Sequence, residues 1–320
     1  MTSNEIKFKI KSILPKKLFK VFYFVYVYIM RPLIRLYYKL KLMSFTEETF
    51  VFEGHDEVYF HIAVSPDNGT VDTEIYLHGV YEPYYLSRIK KELRVGDTFV
   101  DIGANIGQHS LFASQVVGPS GKVIAFEPIP NLCEQLKRSV SKNIINNKCK
   151  NVQVYNIGCG EEDAKMNIYM TKENMGGSSV VVGTPNSKSM SIGIVNTDKA
   201  IELGLLNAVF PSLTLPTRKG VITNTSVDFV KIDVEGYEYK VLSGMSGTIA
   251  KYLPKIFLEY SLDSYDKYAK GDAENIIKLL NYFNYSIIDL DNKDAKVTLK
   301  YINKMRAAGI DQANFLAIAN

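Results

Sequence analysis

Four short runs of the chain, FVDI at 99–102, VIAF at 123–126, FVKI at 229–232 and IFLE at 256–259, are apolar at almost every position. A strand with one wet face alternates apolar and polar residues. A strand without that alternation belongs in a sheet covered by helices on both sides. Extended along the chain, the pattern predicts strands at 98–102, 122–126, 152–157, 227–234, 255–259, 285–290 and 314–319. Helices are predicted over 107–117, 132–146, 238–251 and 274–283. Strands alternating with helices make a mostly parallel α/β sheet with right-handed crossovers. Ahead of it, 50–76 reads as small antiparallel strands with a turn at Ser65-Pro66-Asp67-Asn68-Gly69. Residues 82–93 read as a helix ending before Gly96. Residues 162–226 are rich in Gly, Ser, Asn, Thr and Pro and break the rhythm. They predict an excursion, part hairpin and part loop, placed to wall a substrate pocket.

Charge is unevenly spread. Of 38 Lys/Arg and 34 Asp/Glu, residues 1–43 hold ten basic residues and the single acid Glu5, so the rest of the chain is mildly acidic. That excludes a nucleic-acid binder with a basic surface over its fold. Within the basic head, 21–30 (VFYFVYVYIM) is uncharged, but ten residues are half of the roughly twenty a spanning helix needs. No small-residue cleavage site follows. Lys and Arg around an aromatic centre suit a segment lying on an anionic membrane face; alternatively it packs, as helix or strand, on the domain or on a second subunit. The chain therefore divides into a basic aromatic leader (1–43), a β/α lead-in (44–96) and a main domain (97–320). Cys133, Cys149 and Cys159 have no CxxC spacing and an odd count, which predicts free thiols in a reducing, cytoplasmic compartment, with the leader at the inner membrane face.

Ligands of open α/β sheets bind at the carboxyl ends of the strands. The first strand ends Asp101-Ile102-Gly103-Ala104-Asn105-Ile106-Gly107. Gly103 permits a tight turn and Gly107 a close helix start. Asn105 stands where a dinucleotide fingerprint has its middle glycine. Asp101 would repel a pyrophosphate but suits an ammonium or sulfonium. The second strand ends at Glu127-Pro128, where a carboxylate can accept hydrogen bonds from both ribose hydroxyls. At the third strand's exit, Ile157 and Gly158 offer apolar and backbone surface for an adenine.

The fourth strand and its exit read DFVKIDVEGYEYKVLSGM, residues 228–245. Lys231, Asp233 and Glu235 share one phase of the strand, and charges on an interior strand are costly unless paired or used. Taken with FVDIGANIGQHS, VIAFEP and IFLEYS, this stretch resembles the FkbM-type methyltransferases over roughly 75–320. The resemblance implies a class I S-adenosylmethionine (SAM) methyltransferase fold, Rossmann-like and seven-stranded, whose last strand (ANFLAIAN, 313–320) runs antiparallel. It implies O-methylation, often of a sugar or polyketide hydroxyl; the basic leader suggests an acceptor at a membrane, such as a lipid-linked glycan, beside a small-molecule one. By position it puts Asp101, Gly103, Asn105 and Gly107 around the methionine part of SAM, Glu127 on the ribose, and Asp233 near the sulfonium and the acceptor; the adjoining Ala104 and Pro128 are counted with the cofactor site. Tyr81-Glu82 would cap the cofactor, and Gly176–Val180 matches a family segment. The family's acidic run before the fourth strand is replaced here by Thr217, Arg218 and Lys219. Candidate bases are Asp233, Glu235 and His109. Asp233 and Glu259, ending adjacent strands, would hold a magnesium ion if one is used. A nucleotide-sugar or dinucleotide enzyme and a non-catalytic binding protein are the rival readings.

Overall fold

The computed structural model describes residues 31–171, 174–179, 188–206 and 226–320. The chain divides into two compact units, Met1–Glu47 and Glu48–Asn320. In the first, only α1 (Arg31–Met43) is regular among the described residues. Its Leu33, Leu36, Tyr37 and Leu40 recur at helical spacing and are all exposed. The leader's other residues, 1–30, lie outside the described residues. No helix among those described is long and apolar enough to cross a membrane.

The second unit opens with a hairpin, β1 (Thr49–His55) and β2 (Val58–Val64). Its two-residue turn, Asp56-Glu57, has positive φ at both positions (48° and 66°), the twist that matches right-handed strands. The third apolar stretch expected as strand, around 70–76, is a helix instead: α2 (Thr70–His78), capped by Gly79 at φ 82°. The buried Asp72 decides this. It accepts hydrogen bonds from the Ser65 backbone (2.7 Å) and the Gln135 side chain (2.6 Å), which anchors the helix start. Next come α3 (Pro83–Glu92), β3 (Thr98–Ile102), α4 (Gln108–Val117), β4 (Lys122–Phe126), α5 (Pro130–Ile145) and β5 (Val152–Tyr155). Side chains of α5 at one-turn spacing cover the free edge of β2: Asn143 bonds the His61 backbone, Ser139 the Ala63 amide and Gln135 the Ala63 carbonyl. An edge strand so satisfied presents no template for further pairing.

The third strand stops two residues early because Asn156 turns the chain, its amide bonding the Glu127 and Pro128 carbonyls. The excursion is more regular than a loop. β6 (Gly158–Gly160), β7 (Ala164–Thr171), β8 (Asn174–Ser179) and β9 (Lys188–Asn196) form a second sheet in the order β6-β9-β7-β8. α6 (Thr197–Leu206) then supplies the crossover; Gly204 lets it lie on Ile124 of β4. Return to the main sheet follows through β10 (Phe229–Ile232), α7 (Glu238–Gly244), α8 (Ser246–Tyr252), β11 (Lys255–Tyr260), α9 (Leu262–Tyr268), α10 (Asp272–Tyr282), β12 (Tyr285–Asp289), β13 (Ala295–Lys296), α11 (Leu299–Ala308) and β14 (Ala313–Ala319). The single helix expected over 238–251 breaks at Met245, where Gly244 comes so close that a Cβ would stand 1.9 Å from the Gly160 carbonyl oxygen.

The main sheet runs β13-β12-β14-β11-β10-β3-β4-β5. β5, β4, β3, β10 and β11 are mutually parallel, and β14 inserts antiparallel between β11 and β12. This is the seven-stranded order, with an antiparallel last strand, that the sequence resemblance implied, with the two-residue β13 added at one edge. β3 and β10 are buried at every position, as their unalternating sequences require.

Candidate active site

The carboxyl ends of β3, β4, β10 and β11 open into one crevice with two lobes. Gly103, Asn105, Asp233 and Glu235 line both. The turn after β3 fits a gap with no room for side chains. Gly103 has φ 80°, and a Cβ there would lie 1.8 Å from the Asp233 carbonyl oxygen. The Asp233 amide in turn donates to Ile102 O (3.0 Å), so the exits of β3 and β10 are stitched together. Gly107 starts α4 at φ 91°, with Leu136 of α5 filling the space a Cβ would need. Asn105 adopts φ 53°, its side-chain oxygen accepting the Ile106 amide, while its own amide donates to Glu127 (2.8 Å).

The first lobe is largely apolar. Phe126, Pro128, Ile129 and Leu132 form one side. Ile168, Ile192 and Ile194 of the second sheet form the other, so the excursion walls this lobe. Glu127 stands at its edge. Each carboxylate oxygen accepts one amide, Asn105 or Ile129 at 2.8 Å, and keeps a lone pair free. Burial raises Glu127 to about 7 against the pull of those two amides. Gly158 lines this lobe but Ile157 does not; its side chain packs on the core, and Cys159 takes the place beside Gly158. Sequence alternation cannot place that side chain once the strand has ended at Tyr155.

The second lobe is acidic. Asp233, Glu235 and Glu259 each offer a carboxylate oxygen within 4.8 Å of the others. Tyr81, Glu82, Ala104, Gly107 and His109 complete it. Gln108 exchanges two 2.7 Å hydrogen bonds with the Tyr81 backbone, holding the Tyr81-Glu82 corner over the turn. Carboxylates this close cannot all ionise. Burial, then Asp233, drives Glu259 well above the ordinary range. Burial, Asp233 and Glu238 raise Glu235 to about 8, and burial with Asp233 raises Glu82 to about 7. Burial also works against Asp233, but the Lys231 ammonium 3.0 Å away outweighs it and holds Asp233 below the usual value. At neutral pH the charge of the cluster is therefore centred on Asp233.

A further expected role is corrected. Asp101 does not face the crevice. It lies beneath the turn, fully buried, one oxygen accepting from Ser110 (2.6 Å) and the other 3.5 Å from Lys231. The β3–β10 register sets Asp101 directly beside Lys231, so its partner is a lysine of the protein and not a ligand's ammonium. His109 has a buried Nε2 with no hydrogen-bond partner among the described residues. It lines the second lobe as expected; burial, then Lys231, pushes it down to about 3, so its ring is neutral in place. Two positioning groups had no role assigned from the sequence. Lys231 is 3% exposed and bonds Asp233 and the Gly103 carbonyl; burial opposes its charge, but Asp233 and Asp101 more than restore it. The clue was a lysine inside FVKI. Glu238 accepts the Val234 and Gly236 amides and the Tyr265 hydroxyl, which shapes the loop carrying Asp233 and Glu235. Gly176–Ser179 lie in β8, with Val180 outside the described residues, as are Thr217, Arg218 and Lys219.

An apolar slot, a carboxylate with free lone pairs at its edge and an acidic lobe beyond fit a ligand with a neutral aromatic end, a diol and a positive centre, as in SAM. A dinucleotide's pyrophosphate would face Asp233 with its counter-ion already taken.

Residues 101–287 match the family described as the methyltransferase FkbM domain. Among curated proteins, methyltransferase sdnD of Sordaria araneosa is 29% identical over 160 residues, 46% of this chain and 59% of that protein. Protein-L-isoaspartate O-methyltransferase 2 of Archaeoglobus fulgidus is 41% identical over 46 residues, 14% of this chain and 21% of that one. The chain thus spans less than two thirds of these curated relatives. Among solved structures, methyltransferase FkbM from Methylobacillus flagellatus KT aligns at TM-score 0.42 and 16% identity, covering 77% of this chain and 52% of that one.

Proposed function

The chain belongs to the FkbM methyltransferase family, and from that premise we propose that it is a SAM-dependent O-methyltransferase acting on a sugar hydroxyl of a glycan or glycolipid. The observation that carries this is the pairing of an apolar lobe with a carboxylate cluster whose charge sits on Asp233, at the junction of the two. When bound, SAM supplies a methyl group made electrophilic by its sulfonium.

The chain's own groups do the rest. Glu127 accepts the ribose hydroxyls; Ile168, Ile192 and Ile194 shield the adenine from water. Asp233, fixed by Lys231, faces the positive centre and accepts the hydrogen bond of the incoming hydroxyl. Orientation of this kind accounts for about 7–11 kcal/mol of barrier reduction in well-aligned systems. The proton then passes to Asp233, the ionised member of the cluster, as the hydroxyl oxygen takes the methyl group and the sulfur leaves as a neutral thioether. A neutral polyol suits this lobe because carboxylates accept hydroxyl hydrogens, whereas an anionic acceptor would be repelled.

Magnesium, if used, would be held by Asp233, Glu235 and Glu259, whose oxygens are hard donors. The Lys231 ammonium and the protons on Glu235 and Glu259 already balance that cluster, so we favour transfer without a metal. Turnover unchanged by a chelator supports this, and loss restored by magnesium overturns it. For the leader, the exposed apolar stripe of α1 supports contact of residues 1–43 with an anionic membrane face.

The function is tested by incubating the protein with methyl-labelled SAM and glycan and lipid extracts. We expect label in a sugar methyl ether, and Asp233→Ala to bind SAM without transferring. Transfer unaffected in Asp233→Ala, or calorimetric binding of NAD in place of SAM, would refute it.

A further inference from the structure

The hairpin β1–β2 buries one face and turns the other to solvent. On the inner face Phe60, Ile62 and Val64 are fully buried. The outer face should then be polar. It carries Phe50, Phe52 and Tyr59 instead, 41%, 58% and 47% exposed. Phe52 stacks on Tyr59 with ring centroids 5.9 Å apart and lies 5.0 Å from His61, so the rings form one continuous platform. Its border is cationic. Lys142 of α5 sits over Phe50 (5.4 Å) and Lys148 over Phe52 (5.9 Å), the latter anchored to the Tyr59 carbonyl. Ile145, one helical turn beyond Lys142, is 82% exposed.

From this platform we infer that the outer face of the β1–β2 hairpin is a second contact surface of the protein, docking on an anionic lipid interface. Rings of Phe and Tyr enter the boundary between head groups and acyl chains, and lysines beside them pair with anionic head groups. The arrangement argues against the other occupants. A second copy of the chain meeting this face symmetrically would gather the Lys142 and Lys148 charges of both copies at one patch. A soluble sugar would want carboxylate or amide side chains around the rings, and the polar groups placed on this platform are the two lysines and His61. None of these residues lines the catalytic crevice, and the inference does not depend on the activity proposed above.

The chain contains no tryptophan, which makes the test direct. Phe52→Trp in the full chain places a single emitter in the platform; Tyr282→Trp, at an exposed site on α10, serves as the control. With vesicles of phosphatidylglycerol and phosphatidylcholine, the Phe52→Trp emission should shift to the blue and be quenched by brominated acyl chains, with no change for Tyr282→Trp. Pure phosphatidylcholine should give a much smaller shift. Lys142→Gln/Lys148→Gln should lower vesicle partitioning by about tenfold to thirtyfold. An unshifted Phe52→Trp signal overturns the inference, whether the chain stays free or pellets with vesicles through its leader. So does a shift produced without lipid, by soluble oligosaccharides or by raising the protein concentration.

Discussion

Lys231→Met should be the most damaging single change near the site that touches no ligand. Lys231 and Asp101 are 3% and 0% exposed and 3.5 Å apart. At an effective dielectric of 20 that separation corresponds to about 5 kcal/mol of attraction. Breaking a buried pair by removing one partner costs about 3–5 kcal/mol in measured cases. The loss has a ceiling, because Asp101 can escape by taking a proton, and burial already raises it in the intact protein. In Lys231→Met its folded value is raised further above the unfolded one. The stability it contributes is then present at low pH and lost as pH rises. Each pH unit within that window is worth about 1.4 kcal/mol, so the deficit should shrink by about 2–3 kcal/mol between pH 7 and pH 5. Asp101→Asn in the Lys231→Met background removes the stranded charge and should recover most of the deficit. The assay is equilibrium urea unfolding followed by far-ultraviolet circular dichroism at both pH values. A deficit under about 1 kcal/mol at pH 7, or a double variant no more stable than Lys231→Met, would refute the pairing as the reason for either residue.

Gly103→Ala forces a side chain into φ 80° and against the Asp233 carbonyl. It should cost at least about 1–2 kcal/mol of stability and abolish SAM binding by calorimetry; near-normal binding would mean the turn is not where the ligand lies. Glu127→Gln should weaken SAM by about tenfold to hundredfold, the range for losing a hydrogen bond to a charged group, while thermal denaturation shows the fold intact. Glu238, fully buried, is raised to about 7 by burial against its hydrogen bonds from Tyr265 and the loop amides. A carboxyl raised on folding favours the folded state below its unfolded value, near 4.5, and loses that contribution as pH rises towards 7. Glu238→Gln should therefore flatten the fall in melting temperature between pH 5 and pH 8; an unchanged slope would remove Glu238 as its source.

Local sequence was enough wherever one face or one dihedral decides the outcome. FVDI and FVKI have no polar phase to leave in water, which determines buried parallel strands. Gly103 and Gly107 stand where positive φ and close backbone contact exclude a side chain, and Glu127 ends its strand at the crevice. α2 was misread because its decisive residue, Asp72, is held by Gln135, which is far away in sequence. The second sheet was missed for a similar reason: β6 pairs with β9, more than thirty residues on. Charge was the least legible property. Asp101, Lys231 and Asp233 could each be seen as acids and a base on apolar strands, but their partners depend on the register between β3 and β10, over a hundred residues apart. The same holds for His109, ordinary as a residue and neutral in place because of the burial and the Lys231 ammonium around it. Sequence by itself determined the sheet, the turn and the identity of the crevice acids, because periodicity and backbone freedom are local. Only the tertiary structure decided which of those groups stay charged, because desolvation and Coulomb energy depend on neighbours that the chain brings together from distant positions.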